Sequence, residues 1–174
     1  MIFTGFKRKS NQIFFKKTLP GFLKNEQKRP FNEVKKVLIF LDATADRASI
    51  VSELTSILKI SESDIKVVVF QRKLRKENVP DDIITPKDFG WYGKIDNEKL
   101  KNILTNNYDL LINYSKVDNV YLNILLLQCK AAFRVGFAHI DKRLYDLLIR
   151  CEPEEIDLFH EELIKYLVIL KIVQ

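Results

Sequence analysis

Two kinds of hydrophobic spacing alternate along the chain. Short, nearly continuous apolar runs occur at Val34–Asp42, Ile65–Gln71, Asp109–Tyr114, Ala132–Phe137 and Asp146–Arg150. They are rich in β-branched and aromatic residues and too short to be helices, so they read as strands buried on both faces. Between them, apolar residues recur at helical spacing. Asp46–Leu58 carries the stripe Ile50, Leu54, Ile57 and Leu58, with Thr44 or Asp46 as N-cap. Two further helices are expected, Asp96–Thr105, capped by Asp96, and Asn119–Lys130. The last helix is expected over Pro153–Ile172, with Pro153 in its first turn. Its stripe of Ile156, Phe159, Leu163, Tyr166, Leu167 and Leu170 should cover the sheet. Ile164, Val168 and Ile172 fall elsewhere on that helix and call for a second apolar contact, with the N-terminal arm or, as a homodimer, with another copy.

Strand, helix, strand at this spacing is a βαβ unit, whose crossover is right-handed. The fold class is therefore α/β: a three-layer Rossmann-like domain with a mostly parallel sheet of about five strands. A basic amphipathic helix precedes it, giving an arm over residues 1–33 and the α/β domain over 34–174. A chain of 174 residues, 47% hydrophobic, is enough for one domain with a real core.

The arm changes the picture most. Residues 1–36 hold ten basic and two acidic residues, a balance of +8, whereas the other 138 residues carry 19 basic and 21 acidic groups. Six of the twelve phenylalanines lie in residues 1–31. A helix is expected from about Gly5 to Thr18, ended by Leu19-Pro20-Gly21, with Ile2, Phe3, Phe6, Ile13 and Phe14 on its apolar face. Lys7, Arg8, Lys9, Lys16, Lys17, Lys24, Lys28 and Arg29 are then candidates for contacting RNA, ribosomal RNA included, through phosphates, with phenylalanines to stack on bases. The same arm could instead lie on an anionic membrane surface, or pack on its own domain with its lysines solvated.

Open α/β sheets bind ligands beyond the carboxyl ends of their strands, where strand order reverses. If the first and third of these strands are neighbours, that crevice is lined by Asp42, Thr44, Asp46, Tyr114, Ser115 and Asn119. The loop after the first strand, Ala43-Thr44-Ala45-Asp46-Arg47, has no glycine, and neither GxGxxG nor GxxxxGK[ST] occurs anywhere. A phosphate cradle of the usual kind is therefore disfavoured and no cofactor is expected, though a nucleotide or sugar-nucleotide remains the alternative ligand of the crevice. His139, Asp141, Arg143 and Asp146 read as a loop salt-bridge cluster in preference to acid–base machinery. The charged connection Arg72–Lys94 ends in Asp88-Phe89-Gly90-Trp91-Tyr92-Gly93, an aromatic plug on the sheet edge or a ligand-contacting loop. Cys129 and Cys151 are read as separate thiols, and with His139 and His160 they have no metal-ligand spacing. No secretory leader or spanning segment is visible, so the cytoplasm is the expected compartment.

Tyr108–Ile112, a leucine-rich helix and Ala132–Phe137 together resemble a scaffold passage of the heptosyltransferase-type glycosyltransferases, over about thirty residues. The resemblance implies a Rossmann-like half but not the donor site, which lies in a C-terminal half not found in this chain. Over nearly its whole length the chain is similar to an uncharacterised family of short bacterial proteins, chiefly from the Bacteroidetes. The matching passages are the FKRKS arm, Pro86–Lys94, Asp109–Tyr114, Lys130–Gly136, Asp141–Leu144, Asp146–Ile149 and Glu162–Leu167. That family is a domain of unknown function and brings no catalytic residues with it.

Overall fold

The computed structural model describes residues 2–25, 32–72 and 82–172. Six strands form one sheet: β1 (Val37–Asp42), β2 (Ile65–Phe70), β3 (Ile83–Ile84), β4 (Asn107–Asn113), β5 (Lys130–Phe137) and β6 (Leu147–Ile149). All pair in parallel, in the order β3-β2-β1-β4-β5-β6. The α/β, Rossmann-like expectation holds. The strand beyond the expected five is β3, two isoleucines that extend the edge by pairing with Val69 and Phe70.

Helices α2 (Arg47–Leu58) and α5 (Ile156–Ile169) cover one face of the sheet. Helices α1 (Ile2–Asn25), α3 (Glu98–Thr105) and α4 (Val120–Gln128) cover the other. Asp46 caps α2, accepting from the Ser49 amide at 3.1 Å. The cap of α3 is Asn97 instead of the expected Asp96, because its Oδ1 reaches the Leu100 amide at 3.1 Å. Helix α5 starts at Ile156, three residues after Pro153, and its Tyr166 and Leu170 face outward with Val168 and Ile169, while Ile172 is buried. The sheet-covering stripe is thus Phe159, Leu163 and Leu167, narrower than the sequence spacing implied.

The arm differs most from expectation. Helix α1 does not stop at Thr18 but runs through Pro20 to Asn25. A proline inside a helix costs about 3 kcal/mol. Here Pro20 is solvent-facing, while Leu19 is buried and Phe22 half-buried beyond the expected end. Fully burying a large apolar side chain is worth about 1.5–3 kcal/mol, so Leu19, with about half as much from Phe22, roughly offsets the break and carries the helix past it.

The buried face of α1 is also not the expected one. It consists of Ser10, Asn11, Phe15 and Leu19, flanked by Phe14 and Phe22, whereas Phe6 and Ile13 face solvent. The side chains of Ile2 and Phe3 lie outside the described residues. The cause is α4, in which every residue from Tyr121 to Leu126 is buried. A helix apolar on all sides needs cover beyond the sheet, and α1 supplies it. Among the described residues no helix is long and apolar enough to cross a membrane.

Candidate functional site

The strand order reverses between β1 and β4, whose chains run parallel from Val37↔Leu110 to Phe40↔Asn113. Beyond their carboxyl ends lies a cavity of about 230 Å³, walled by the start of α2 and the residues leading into α5. Four of the six expected crevice residues line it: Asp42, Thr44, Asp46 and Tyr114. Ser115 and Asn119 do not. The Ser115 amide donates to Asn113 Oδ1 at 3.0 Å, and Asn119 caps α4 by accepting from the Tyr121 amide at 2.9 Å.

Residues not foreseen complete the wall. Asp42 Oδ2 accepts from the Lys116 amide at 2.6 Å, and Lys116 Nζ reaches Glu154 Oε1 at 2.6 Å, tying the loop after β4 to the approach to α5. Burial raises the Asp42 carboxyl above its ordinary value, against the opposing pull of Lys116 and Arg72. Behind the cavity runs a chain of hydrogen bonds. Ser49 Oγ donates to Glu53 Oε1 at 2.9 Å, Glu53 Oε2 meets His160 Nδ1 at 2.7 Å, and His160 Nε2 meets the Tyr114 hydroxyl at 2.8 Å. An ionised carboxylate only accepts, so Nδ1 carries the proton and Nε2 accepts from Tyr114. Burial pushes the Tyr114 hydroxyl well up, with the Glu53 charge adding to it. The chain pins Glu53 at the cavity wall from behind.

His160 is held below the ordinary histidine value by burial, which outweighs the hydrogen bond and charge of Glu53. The unfolded chain takes up this proton near pH 6.5, and the folded chain refuses it until lower pH. Stability present above about pH 6.5 is therefore lost as pH falls through the folded value. Urea unfolding at pH 7.5 and 5.5 should show a larger loss for the native chain than for His160→Gln, whose amide can replace both hydrogen bonds. Equal losses would mean that His160 is not the titrating group.

The other sequence candidates lie apart from the cavity. Arg8, Lys9, Lys16, Lys17 and Lys24 are exposed on α1, Lys7 is half-buried, and Lys28 and Arg29 lie outside the described residues. Asp141 and Arg143 form a two-point ion pair at 2.6 and 2.8 Å, whereas His139 stacks on Phe137 and Asp146 accepts from the Arg134 amide at 2.8 Å, so the salt bridge expected there is the Asp141–Arg143 pair. In the loop after β3, Phe89 is the plug, fully buried against Tyr121, and Trp91 and Tyr92 face solvent. Cys129 and Cys151 are free thiols, and no group of metal-ligating side chains able to hold an ion occurs among the described residues.

A family model matches residues 7–170, described as a family of unknown function, DUF6913. The chain belongs to that family. No curated protein matches the chain, and no solved structure does. DUF6913 thus spans both the outward face of α1 and the cavity, and it assigns a role to neither. The glycosyltransferase likeness of residues 108–137 gains no support from these comparisons.

Proposed function

We propose that this DUF6913 protein binds a small, positively charged polar ligand, an amine-bearing metabolite, in the cavity where strand order reverses. The observation that carries this reading is the lining itself. Five carboxylates, Asp42, Asp46, Glu53, Glu154 and Asp157, face it against one ammonium, Lys116, which already pairs with Glu154. Two unit charges about 6 Å apart at an effective dielectric of about 20 interact by about 3 kcal/mol, so such a wall repels phosphates and attracts an ammonium group. This reading favours a cationic ligand over a nucleotide or sugar-nucleotide. The volume supports an amino-acid-sized ligand, since drug-sized sites start at about 300 Å³.

A larger depression of about 960 Å³ opens at the other end of the sheet, near Lys35, Lys36, Lys59 and Lys171. It lies at the amino ends of the strands, away from the carboxyl-end crevice in which sheets of this kind bind ligands. The test is thermal unfolding with a panel of polyamines, amino sugars, basic amino acids and nucleotides. At least one amine should raise the melting temperature, nucleotides should not, and Asp42→Asn should abolish the rise. An unchanged melting temperature across the amines, or an undiminished rise in Asp42→Asn, would overturn the reading.

A further inference from the structure

On the opposite face of the sheet, α1 presents an unusual outward surface. The helix has six basic residues and no acidic one between Ile2 and Asn25. Lys9, Lys16 and Lys17 point away from the domain, and none of the ion pairs among the described residues involves α1. Phe6 stands among them, 59% exposed.

The loop after β3 brings two more aromatics to the same place. The Tyr92 amide donates to Ser10 Oγ at 3.0 Å, and Asn11 bonds the loop at both Gly90 and Gly93. Ser10 belongs to the helical stripe of Phe6, Ile13 and Lys17, at spacings of three and four residues. Trp91 and Tyr92, 47% and 64% exposed, therefore stand beside that stripe. Three large aromatic rings thus flank an outward stripe that carries Lys17, with Lys9 and Lys16 on the adjoining exposed face of the helix, and the surface is assembled from segments about eighty residues apart.

We propose that this surface binds single-stranded RNA, with Trp91, Tyr92 and Phe6 stacking on bases and Lys9, Lys16 and Lys17 holding phosphates. Exposed rings interleaved with point charges are what sequence-tolerant single-strand binding requires, because every base has a π-face. A membrane surface fits less well. An interfacial helix inserts a continuous apolar face, and α1 turns Phe15, Leu19 and Phe22 inward onto its own domain. The surface lies across the sheet from the amine cavity and is independent of it.

Trp91 is the only tryptophan in the chain, so its fluorescence reports on this surface alone. The experiment titrates the full chain with a 12-nucleotide oligouridylate, reading Trp91 quenching and, with labelled RNA, anisotropy, at several salt concentrations. The expected result is quenching that saturates together with the anisotropy change, with log affinity falling against log salt at a slope of about −2 for three lysines on a single strand. Lys16→Gln with Lys17→Gln should flatten that slope by about 1.4. Trp91→Ala with Tyr92→Ala should weaken binding about tenfold or more and leave the slope unchanged. These side chains are exposed, so the melting temperature of each variant should match that of the native chain. Three outcomes would overturn the proposal: no RNA binding at 50 mM salt, anisotropy change without Trp91 quenching, or binding to anionic phosphatidylserine vesicles in place of RNA.

Discussion

Replacing Gly93 by alanine is expected to destabilise the protein by about 4 kcal/mol. Gly93 has φ +74°, a left-handed conformation costing a residue with a side chain about 1–2 kcal/mol. An added Cβ would also clash with the Phe14 ring, and overpacking costs about 1–3 kcal/mol. The Phe14 ring is half-buried against the core and can yield only by swinging out of that contact. Its helix is held to the same loop by Asn11 Oδ1, which accepts from the Gly93 amide at 2.8 Å, while Gln128 Nε2 donates to the Gly93 carbonyl at 2.7 Å. Three segments, α1, the loop and α4, therefore meet at one residue. Gly5→Ala is the contrasting variant, because nothing lies within 4 Å of its added Cβ and alanine favours a helix by about 1 kcal/mol. Urea unfolding of both variants checks the pair. A loss below about 1 kcal/mol for Gly93→Ala would mean that α1 is not seated on the loop as described.

The second large effect is expected at Phe159, where alanine should cost about 4 kcal/mol. The side chain is fully buried, with ring centroids 5.0 Å from Tyr114 and 4.8 Å from Phe137. It fastens α5 to the carboxyl ends of β4 and β5, next to His160. Removing it leaves a cavity directly behind the hydrogen-bond chain that positions Glu53. The amine-induced rise in melting temperature should fall with it, since Glu154 and Asp157 enter the cavity wall at the start of the same helix. Chemical unfolding measures the first effect and the ligand panel the second. A loss under about 2 kcal/mol would show that α5 is anchored elsewhere.

What the sequence made legible was whatever its spacing alone controls. The apolar runs of β1, β2, β4 and β5 are buried on both faces and could hardly be anything but inner strands of a parallel sheet. Proximity of β1 and β4 then placed Asp42, Thr44, Asp46 and Tyr114 around one cavity. The rest depended on partners distant in sequence. Ile83–Ile84 is too short to carry a period and is a strand only because β2 offers it an edge. The face that α1 buries is chosen by α4, more than one hundred residues away. The one local sign was the unbroken apolar run in α4, which no single sheet face could cover.

Glu53 and His160 are 107 residues apart and meet only because α2 and α5 lie on the same face. Each sits beside the apolar stripe of its helix, Glu53 next to Leu54 and His160 next to Phe159. Polar residues at the margin of a buried stripe are the signal that the sequence offers for them. Asn11 gave still less warning. A single amide on a basic helix looks solvated until the Gly90 and Gly93 backbone is found against it.

The most direct test of the cavity as the functional centre is to follow the backbone amides of isotope-labelled protein while pooled primary amines are added. Shifts should cluster at Thr44, Ser49, Lys116 and Asp157, around the carboxyl ends of β1 and β4. Unmoved amides there, or shifts confined to the opposite end near Lys59 and Lys171, would contradict this expectation.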